Sequence, residues 1–482
     1  MRQLTASDAQ FLDIEDARNL GHVAFLAVLD PSTAPSGRLE VEDMCRVVGR
    51  RLDRLPPFRW KLASVPLRVA RPYWVVDPDF DLDFHIRELA LPPGGGEREL
   101  AEQVARIASR PLDRSRPLWE LYVIHGLPAG RVAVLTKMHH AAIDGVSGIE
   151  VMGVLFDERP AGRDEPSARN GVSDTDALGF TTETQPRGGR SPGEVEMLWR
   201  GLASIPAQRL RALRRMRRSS QTIAAPALEV MRSAAAQADV LAWPTARPPS
   251  TRFNDRISGH RGFCFGQLSL ATVKTIKNAL GVTVNDVVIA LCAGALREWL
   301  AVRDELPREP LVAMVPVSIR TPAQQGTFGN RVSAMFVPIP TDAADPRRRL
   351  ERAHEVMRAA KEIHRATPAE LLQDLAEFIP PAVSSTAARL AFRLVDRRRP
   401  AVNCVISNVP GPQVPVYCAG ATVEAVYPVS VIVDGMGLNI TVMSLSGHLN
   451  FGIVVDREQV DDPWPLIDSL REALEVYERA AA

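Results

Sequence analysis

A heptad in the first half of the chain, residues 139–145 (HHAAIDG), combines two imidazoles, a carboxylate and a glycine. Residues 131–138 (RVAVLTKM) alternate as a β-strand does, and residues 146–156 (VSGIEVMGVLF) have the apolar spacing of a helix. The histidines are therefore predicted to lie where a strand ends and a helix has yet to begin, which is a common place for a functional site.

Three interpretations of His139 and His140 are open. Metal ligation is disfavoured, because adjacent residues on an extended chain point to opposite faces and the chain has no His-Glu-x-x-His or Cys-x-x-Cys motif; we expect no metal. In a structural interpretation, one histidine packs in the core and Asp144-Gly145 is a turn. In a catalytic one, a neutral imidazole takes the proton of a hydroxyl that attacks a carbonyl.

Four further blocks extend the pattern almost from end to end. They are residues 4–12 (LTASDAQFL) with Glu15, residues 116–120 (RPLWE), residues 283–286 (TVND) and residues 407–412 (SNVPGP). The heptad is the signature of the coenzyme A-dependent acyltransferase superfamily, which includes chloramphenicol acetyltransferase and peptide-synthetase condensation domains. With the other blocks, the chain resembles the bacterial wax ester synthase/diacylglycerol acyltransferase family.

The resemblance implies an α/β fold of two chloramphenicol acetyltransferase-like domains with a tunnel between them. It implies an acyl-CoA-dependent O-acyltransferase that moves a long acyl chain to diacylglycerol, giving triacylglycerol, to a long-chain alcohol, giving a wax ester, or to both. Acyl-CoA is then a co-substrate and no further cofactor is expected. The chain has no Gly-x-Ser-x-Gly elbow, so direct transfer is simpler than an acyl-enzyme.

The resemblance also assigns roles within the heptad. His140 is the general base, His139 braces the loop, and Asp144 is structural, paired with an arginine for which Arg320 and Arg331 are both candidates. Two alternatives stay open for the whole chain. One is a superfamily acyltransferase for another hydroxyl or an amine, and the other is a non-catalytic lipid-surface protein that has kept the fold.

Two residues beside the histidines are expected to support the site. Gly145 allows a backbone turn that a side chain would obstruct. Trp119, in the Pro-Leu-Trp block, is expected either in the core or, by the resemblance, in the active-site wall.

The motif residues of the second half are less specific. Asn285 is a residue type that caps helices, so a cap and a role at the tunnel are both open, and Asp286 complements the helix dipole. Residues 407–412 form a turn by composition. The resemblance places Ser407 and Asn408 near the domain interface, where either could donate to substrate.

Periodicity predicts the elements around these motifs. In the first half it predicts strands at 22–29, 74–76 and 132–138 and a helix at 97–109. In the second half it predicts strands at 262–268, 311–317, 332–339, 401–407, 423–433, 438–444 and 449–454, and helices at 272–280, 285–302, 346–366 and 463–477. The predicted division is an N-terminal domain (1–190, with a polar loop at 157–192), a helical linker (191–250) and a C-terminal domain (251–482).

The linker contains an arginine-rich segment, residues 210–218, whose apolar and basic residues fall on different sides of a helix. It is either a solvated linker helix or a basic patch for anionic lipid headgroups. The whole chain is balanced, with 58 basic and 57 acidic residues, which disfavours a nucleic-acid partner. Five scattered cysteines and no signal peptide or membrane-length apolar stretch predict a cytoplasmic protein that contacts the membrane or lipid droplets peripherally.

Overall fold

The computed structural model describes residues 1–143, 145–160, 193, 196–197, 199–200, 248–318, 332–366 and 400–481. The elements of the first half are β1 (Arg2–Gln3), α1 (Ala6–Asp13), β2 (His22–Asp30), α2 (Val41–Arg51), β3 (Trp60–Ala63), β4 (Tyr73–Val76), α3 (Leu82–His85), β5 (Ile86–Ala90), α4 (Glu97–Ala108), β6 (Trp119–His125), β7 (Val132–His139) and α5 (Gly145–Leu155). Those of the second half are β8 (Arg261–Ser269), α6 (Leu270–Leu280), α7 (Val284–Ala301), β9 (Leu311–Ser318), β10 (Val332–Ile339), α8 (Pro346–Ala366), β11 (Cys404–Val409), β12 (Tyr417–Cys418), β13 (Ala421–Val429), β14 (Leu438–Leu445), β15 (His448–Asp456) and α9 (Trp464–Ala481).

Two six-stranded sheets organise the described chain. The first has the order β12-β13-β2-β7-β6-β5 and the second β10-β9-β11-β14-β15-β8, while β1, β4 and β3 form a small separate sheet. Both large sheets are mixed, because β5 runs parallel to β6 and β11 runs parallel to β9 and β14, whereas the other pairs are antiparallel. The predicted α/β class is confirmed by this architecture, in which two mixed six-stranded sheets are combined with helices.

The elements predicted from periodicity are confirmed within a few residues. β7 is buried along its whole length, and the polar side chains of Thr136 and Lys137 are buried with it. Its sequence is therefore a nearly continuous apolar run and not a strict alternation. The helix predicted at 346–366 and the strand predicted at 332–339 have the observed bounds. The largest shifts are at the ends of β13, predicted to continue beyond Val429 to residue 433, and of α9, predicted to end at 477; β11 was predicted to begin three residues too early.

The predicted division of the chain at residue 251 does not separate the two sheets. β12 and β13 come from the second half of the sequence, yet they extend the first sheet, with β13 paired antiparallel to β2. Periodicity identified β13 as a strand but carries no information about which sheet it joins. The first sheet is therefore complete only when the C-terminal part of the chain is folded onto it.

A shared apolar cluster also joins the two halves. It contains Leu100 and Val104 of α4 together with Phe263 and Phe265 of β8 and Tyr427 of β13. Beside it, the backbone N–H of Arg261 donates to the hydroxyl of Ser109 (3.0 Å), and the guanidinium of Arg261 donates to the carbonyl of Arg18. These contacts hold the start of β8 against two segments of the first half, one at the end of α4 and one before β2.

Several predictions fall outside the described residues. Asp144, Arg320, Arg331, the arginine-rich segment 210–218 and most of the predicted polar loop are among them. Of that loop, Asp157 is described: it exchanges two backbone hydrogen bonds with Tyr417 (2.7 Å each) and binds Arg51 (2.7 Å). Across the described ranges no helix is by itself long and apolar enough to cross a membrane, and only α6 and α7 taken together meet that test, as a pair bent by 105°.

Candidate active site

The heptad lies at the end of β7, between β2 and β6. The register pairs His139 with His22 of β2, and the backbone N–H of His139 donates to the carbonyl of Leu118 (2.9 Å). The next N–H, of His140, donates to the carbonyl of Gly21 (2.8 Å), after which the N–H of Ala142 turns back to the carbonyl of His139 (3.0 Å). The two histidines therefore leave the sheet at a fixed point just before α5, as the strand-to-helix prediction expected.

The ring of His139 is fully engaged inside the protein. Its side chain is 1 % exposed, its Nδ1 accepts the backbone N–H of Ala141 (3.0 Å), and its Nε2 lies 3.0 Å from Oε1 of Glu15. An Nδ1 that accepts a hydrogen bond carries no proton, so the proton of this neutral imidazole is on Nε2 and is donated to the carboxylate. His139 consequently has no ring nitrogen left to exchange a proton with a substrate.

Glu15 holds this arrangement through three partners. Besides His139, its carboxylate accepts the backbone N–H of Gly21 (2.8 Å) and the guanidinium of Arg114 (2.5 Å). Burial alone would raise the pKa of Glu15, but the hydrogen bonds from His139, Arg114 and the backbone N–H of Gly21 lower the pKa to about 2. The carboxylate is therefore ionised throughout the physiological pH range.

The first motif block of the sequence, residues 4–12, explains how His140 is placed. Thr5 and Asp8 form a capping box that starts α1, with the N–H of Asp8 donating to the Thr5 hydroxyl (3.1 Å) and the N–H of Thr5 to the Asp8 carboxylate (3.3 Å). Two turns later, the ring of Phe11 stacks on the ring of His140 at 4.0 Å and 15°. His140 is half-buried, unlike His139, and one of its faces is covered by this phenyl ring.

Gly21 is a second constraint at the same point. A Cβ at this position would lie 2.8 Å from the carbonyl oxygen of Phe11 and 3.2 Å from the His139 ring. Any side chain there would push α1 away from the heptad. Residues 15 and 21 thus hold the N-terminal segment against both histidines.

The Pro-Leu-Trp block supports the heptad from the core side. Trp119 is 2 % exposed, its indole N–H donates to the carbonyl of Phe58 (2.8 Å), and its ring lies between those of Phe58 (4.2 Å) and His85 (4.5 Å). The preceding carbonyl, of Leu118, is the acceptor of the His139 N–H described above. Of the two roles expected for Trp119, the structure places it in the core that supports the strand.

Lys137 is an unusual residue behind the same strand. Its side chain is enclosed, and its ammonium donates to the carbonyls of Ile107 (2.9 Å) and Arg110 (2.5 Å) at the end of α4. Burial lowers the pKa of Lys137 to about 8, against the opposing charge of Glu120 at 3.9 Å. Through these two hydrogen bonds, Lys137 holds the C-terminal end of α4 against β7.

In the second half, Thr283 and not Asn285 caps α7. The Thr283 hydroxyl accepts the N–H of Asp286 (3.3 Å), and the Asp286 carboxylate accepts the N–H of Thr283 (2.9 Å). The cap interpretation of Asn285 is therefore wrong, since the hydroxyl two residues earlier takes that place. Asp286 lies in the first turn as expected and also contacts Nδ1 of His354 (2.7 Å).

Asn285 instead meets Asn408 at the mouth of a cavity. The Asn408 amide N–H donates to Oδ1 of Asn285 (3.3 Å), and both residues line a space of about 390 Å³. Its walls include Val315, Val317 and Met335 of β9 and β10, and Lys361 and His364 of α8 add two basic groups. Ser407, the neighbour of Asn408, is half-buried in β11 and is not among the lining residues.

The end of β11 and the turn that follows it pack closely against neighbouring strands and against the first half. A Cβ on Gly411 would lie 2.3 Å from the carbonyl oxygen of Ser444, so the Pro-Gly-Pro sequence permits a close backbone approach. Val409, next to Asn408, packs against the hydrophobic cluster that includes Ala141, Ala142 and Ile143. The end of β11 and the heptad thus contribute to one core.

Four residues that complete the site have roles that could not be predicted from the sequence: Phe11, Glu15, Gly21 and Arg114. Phe11 and Glu15 lay inside a quoted block, but their contacts with His140 and His139 span more than a hundred residues and leave no local pattern. Gly145 is the first residue of α5, one residue before the predicted start of that helix. In the described ranges, the one group of side chains spaced for a metal is Glu40, Glu88 and His125, and it includes neither heptad histidine.

Comparison with known proteins places the chain in a family. The profile described as "Wax ester synthase/diacylglycerol acyltransferase catalytic domain" matches residues 4–288, and "WS/DGAT C-terminal domain" matches residues 328–478. A putative diacylglycerol O-acyltransferase of Mycobacterium tuberculosis is 35 % identical over 98 % of this chain and 89 % of its own length. A probable diacylglycerol O-acyltransferase of the same species is 36 % identical over 100 % of this chain and 99 % of its own.

Solved structures agree. The wax ester synthase/diacylglycerol acyltransferase from Marinobacter aquaeolei VT8 superposes with a TM-score of 0.69 at 28 % identity, covering 100 % of both chains. The trichothecene 15-O-acetyltransferase from Fusarium sporotrichioides gives a TM-score of 0.61 at 14 % identity over 99 % of this chain and 94 % of its own, which shows the shared fold. The chain therefore belongs to the wax ester synthase/diacylglycerol acyltransferase family.

Proposed function

We propose that this acyltransferase moves a long-chain acyl group from acyl-CoA to the hydroxyl of diacylglycerol or of a long-chain alcohol, with His140 as the general base. Its relatives are named diacylglycerol O-acyltransferases, and its structural neighbour from Marinobacter aquaeolei is named for both products. The product would be triacylglycerol or a wax ester, and acyl-CoA would be consumed as a co-substrate without a further cofactor or a metal.

Two observations carry the role of His140: both ring nitrogens of the neighbouring His139 are used within the protein, and the ring of His140 is held in one orientation. His139 uses Nδ1 and Nε2 within the protein, so it lacks a nitrogen for the acceptor hydroxyl. His140 is half-buried, with its ring plane fixed by stacking on Phe11 and its backbone fixed by Gly21. A base held in one orientation beside a rigid strand end is what proton abstraction from a bound alcohol needs.

The reaction balances without another reagent. His140 takes the hydroxyl proton as the acceptor oxygen attacks the thioester carbonyl, and a C–O bond forms. The tetrahedral intermediate then collapses, the C–S bond breaks, and the imidazolium returns its proton to the departing coenzyme A sulfur. His139 and Glu15 act as positioning residues, and Asp144 is predicted to hold the far side of the loop.

The cavity beside Asn285 and Asn408 fits the coenzyme A portion of the donor. Its two side-chain amides suit the amides of a pantetheine chain, Lys361 supplies positive charge for a phosphate group, and the His364 ring adds a further polar group to the same wall. The apolar walls from β9 and β10 suit the methylene part of the same ligand. We assign this cavity to the donor and leave the acceptor to the opposite side of the site.

The substrates also bear on where the protein works. Diacylglycerol and long-chain alcohols reside in membranes and lipid droplets, so we propose a cytoplasmic protein that contacts such a surface peripherally. A nucleic-acid partner is not part of this proposal, because 58 basic residues are balanced by 57 acidic ones.

An assay with a long-chain acyl-CoA and separate diacylglycerol, fatty alcohol and amine acceptors tests the proposal, with thiol release and product both measured. Thiol release with ester formation is expected for the first two acceptors. His140→Ala is expected to lower kcat about 10²- to 10⁴-fold while the thermal transition stays near that of the parent. His260→Ala, which removes an exposed histidine, is the matched control. Parent-like activity of His140→Ala, or amide formation alone, would contradict the proposal.

A further inference from the structure

Three side chains that can ligate a metal meet at one edge of the first sheet. Glu88 lies in β5, the edge strand of that sheet, and His125 ends β6, its parallel neighbour. The register pairs Glu88 with Val123, two residues before His125, so Glu88 and His125 lie on the same face of the sheet. Glu40, the residue before α2, completes the group. Because the three residues come from separate elements, no linear motif reveals them.

The packing of α2 on this face brings Glu40 to the other two residues. Met44 of α2 shares an apolar cluster with Ile86 of β5 and Val123 of β6. The backbone N–H of Glu40 donates to the carboxylate of Asp43 (3.0 Å), which fixes the start of the helix. The core of the first half therefore determines where the three side chains begin.

The distances within the group are those of a metal site. The ligand atoms of Glu40, Glu88 and His125 all lie within 4.8 Å of one another, and Nε2 of His125 is 3.1 Å from Oε1 of Glu88. Two ligands of one zinc ion, each about 2.1 Å from the metal, are about 3.4 Å apart at the tetrahedral angle and about 3.0 Å apart at a right angle. The exposed side chain of Glu40 can reach the same point by rotation.

The imidazole of His125 has an unused nitrogen beside these glutamates. Its Nε2 is shielded from solvent and, among the described residues, has no partner in hydrogen-bond geometry, although Oε1 of Glu88 is near. A protonated ring would donate a hydrogen bond from this nitrogen, whereas a metal needs its free lone pair. A shielded polar atom without a partner is unfavourable, and a bound ion would satisfy it.

The charges around the group also favour a cation. Glu40 and Glu88 are exposed, and their carboxylate oxygens lie within 4.8 Å of each other, so the two negative charges repel. The first turn of α2 adds Glu42 and Asp43, of which Asp43 is paired with Arg46 (2.8 Å). A divalent cation between the two carboxylates would remove this repulsion.

We propose that Glu40, Glu88 and His125 bind a divalent transition metal ion, and that zinc best matches this set of one imidazole and two carboxylates. Three protein ligands leave a coordination position for water at the protein surface. The ion ties the start of α2 to the edge strand that this helix covers, so its effect is on stability. The site contains no residue of the heptad or of the donor cavity, and it is independent of the proposed function.

Calorimetric titration of Zn²⁺ into the metal-free full-length chain, with thermal unfolding in parallel, tests the proposal. The parent is expected to bind zinc, and the midpoint of unfolding should rise by about 2 to 5 °C once the ion is well above its dissociation constant. His125→Ala and Glu88→Gln should each weaken binding about tenfold or more and lose the rise. Glu102→Gln, which removes an exposed carboxylate paired with Arg106, and His260→Ala, which removes an exposed imidazole, are the matched controls and should bind as the parent does.

A gain-of-affinity variant guards against loss of binding for trivial reasons. Glu88→His replaces a carboxylate by a second imidazole, which suits zinc better, so binding should tighten about tenfold. Excess Mg²⁺ should leave the zinc in place, because Mg²⁺ prefers oxygen ligands. Zinc binding that His125→Ala retains in full would place the ion elsewhere in the chain and overturn the proposal. So would a parent that binds no zinc, because a protonated His125 would then suffice to hold the two glutamates.

Discussion

Two internal regions of the molecule, each called an end below, contain the same contact between a carboxylate and a histidine. We call residues 139–143 with Glu15 the histidine end, and Asn285, Asp286 and Asn408 the asparagine end. In each, a buried carboxylate contacts a histidine: Glu15 with His139 at 3.0 Å, and Asp286 with His354 at 2.7 Å. The first fixes the residue before the proposed base, and the second fixes the first turn of α7, which also carries the uncharged amide of Asn285.

The surroundings of the two pairs differ in a way that matches these purposes. His139 is 1 % exposed and Glu15 has Arg114 as a further partner, whereas His354 is 35 % exposed. An enclosed pair sets ring geometry, because neither partner can move without losing its hydrogen bonds. A pair open on one side mainly secures a helix terminus. Breaking the first pair should therefore lower both the reaction rate and the free energy of unfolding, whereas breaking the second should lower only the free energy of unfolding.

Glu15→Gln is expected to have the largest effect. The amide cannot hold the Nε2 proton of His139 and Arg114 as a carboxylate does, so the loop carrying His140 shifts and kcat falls about 10- to 100-fold. With the pKa of Glu15 lowered from 4.5 to about 2, the ionised carboxylate contributes about 3 kcal/mol to the free energy of unfolding at neutral pH. Urea unfolding and steady-state rates measure the two effects.

The lowered pKa of Glu15 also determines how its contribution to the free energy of unfolding changes with pH. A carboxyl whose folded pKa is depressed contributes fully above its unfolded pKa, and that contribution is lost as pH falls from about 4.5 toward 2. The stability difference between the parent and Glu15→Gln should shrink over that interval. Glu424→Gln, in the exposed pair with Arg131, is the control and should cost at most about 1 kcal/mol. A constant difference across the interval would mean that Glu15 acts by shape and not by charge.

Asp286→Asn probes the asparagine end. The amide oxygen can still accept the N–H of Thr283, but the charge beside His354 is gone, so the unfolding free energy should fall by about 1 to 2 kcal/mol. The kcat of the folded fraction should match the parent. A loss of kcat comparable to that of Glu15→Gln would show that both ends set reacting geometry, and the distinction drawn above would be wrong.

The local structure of both ends could be predicted from the sequence, but the contacts between residues distant in the chain could not. The strand before His139 and the helix after it follow from periodicity. At α7, the Thr283-x-x-Asp286 spacing is a local pattern for a capping box and identifies the cap better than the residue type of Asn285 does. The partnership of Glu15 with His139, and of β13 with β2, depends on how separate segments pack, which no local pattern encodes.

Lys361→Met should give a smaller effect, confined to the donor. If the cavity holds the coenzyme A portion, loss of one cation should raise KM for acyl-CoA several-fold, about 1 kcal/mol, and leave KM for the alcohol unchanged. Lys277→Met, a lysine on α6 that does not line the cavity, is the matched control. A rise in KM for the alcohol alone would assign the cavity to the acceptor instead.

The smallest expected effect is that of a chelator. Neither end needs a Lewis acid if an imidazole removes the hydroxyl proton and a thiolate departs, so prolonged dialysis against a strong chelator should leave transfer unchanged. His125→Ala, which disrupts the metal-spaced group of Glu40, Glu88 and His125, should be equally active because that group contains no residue of either end. Activity that is lost on dialysis and restored by zinc would overturn this view of both ends, and the behaviour of His125→Ala would show whether that group is responsible.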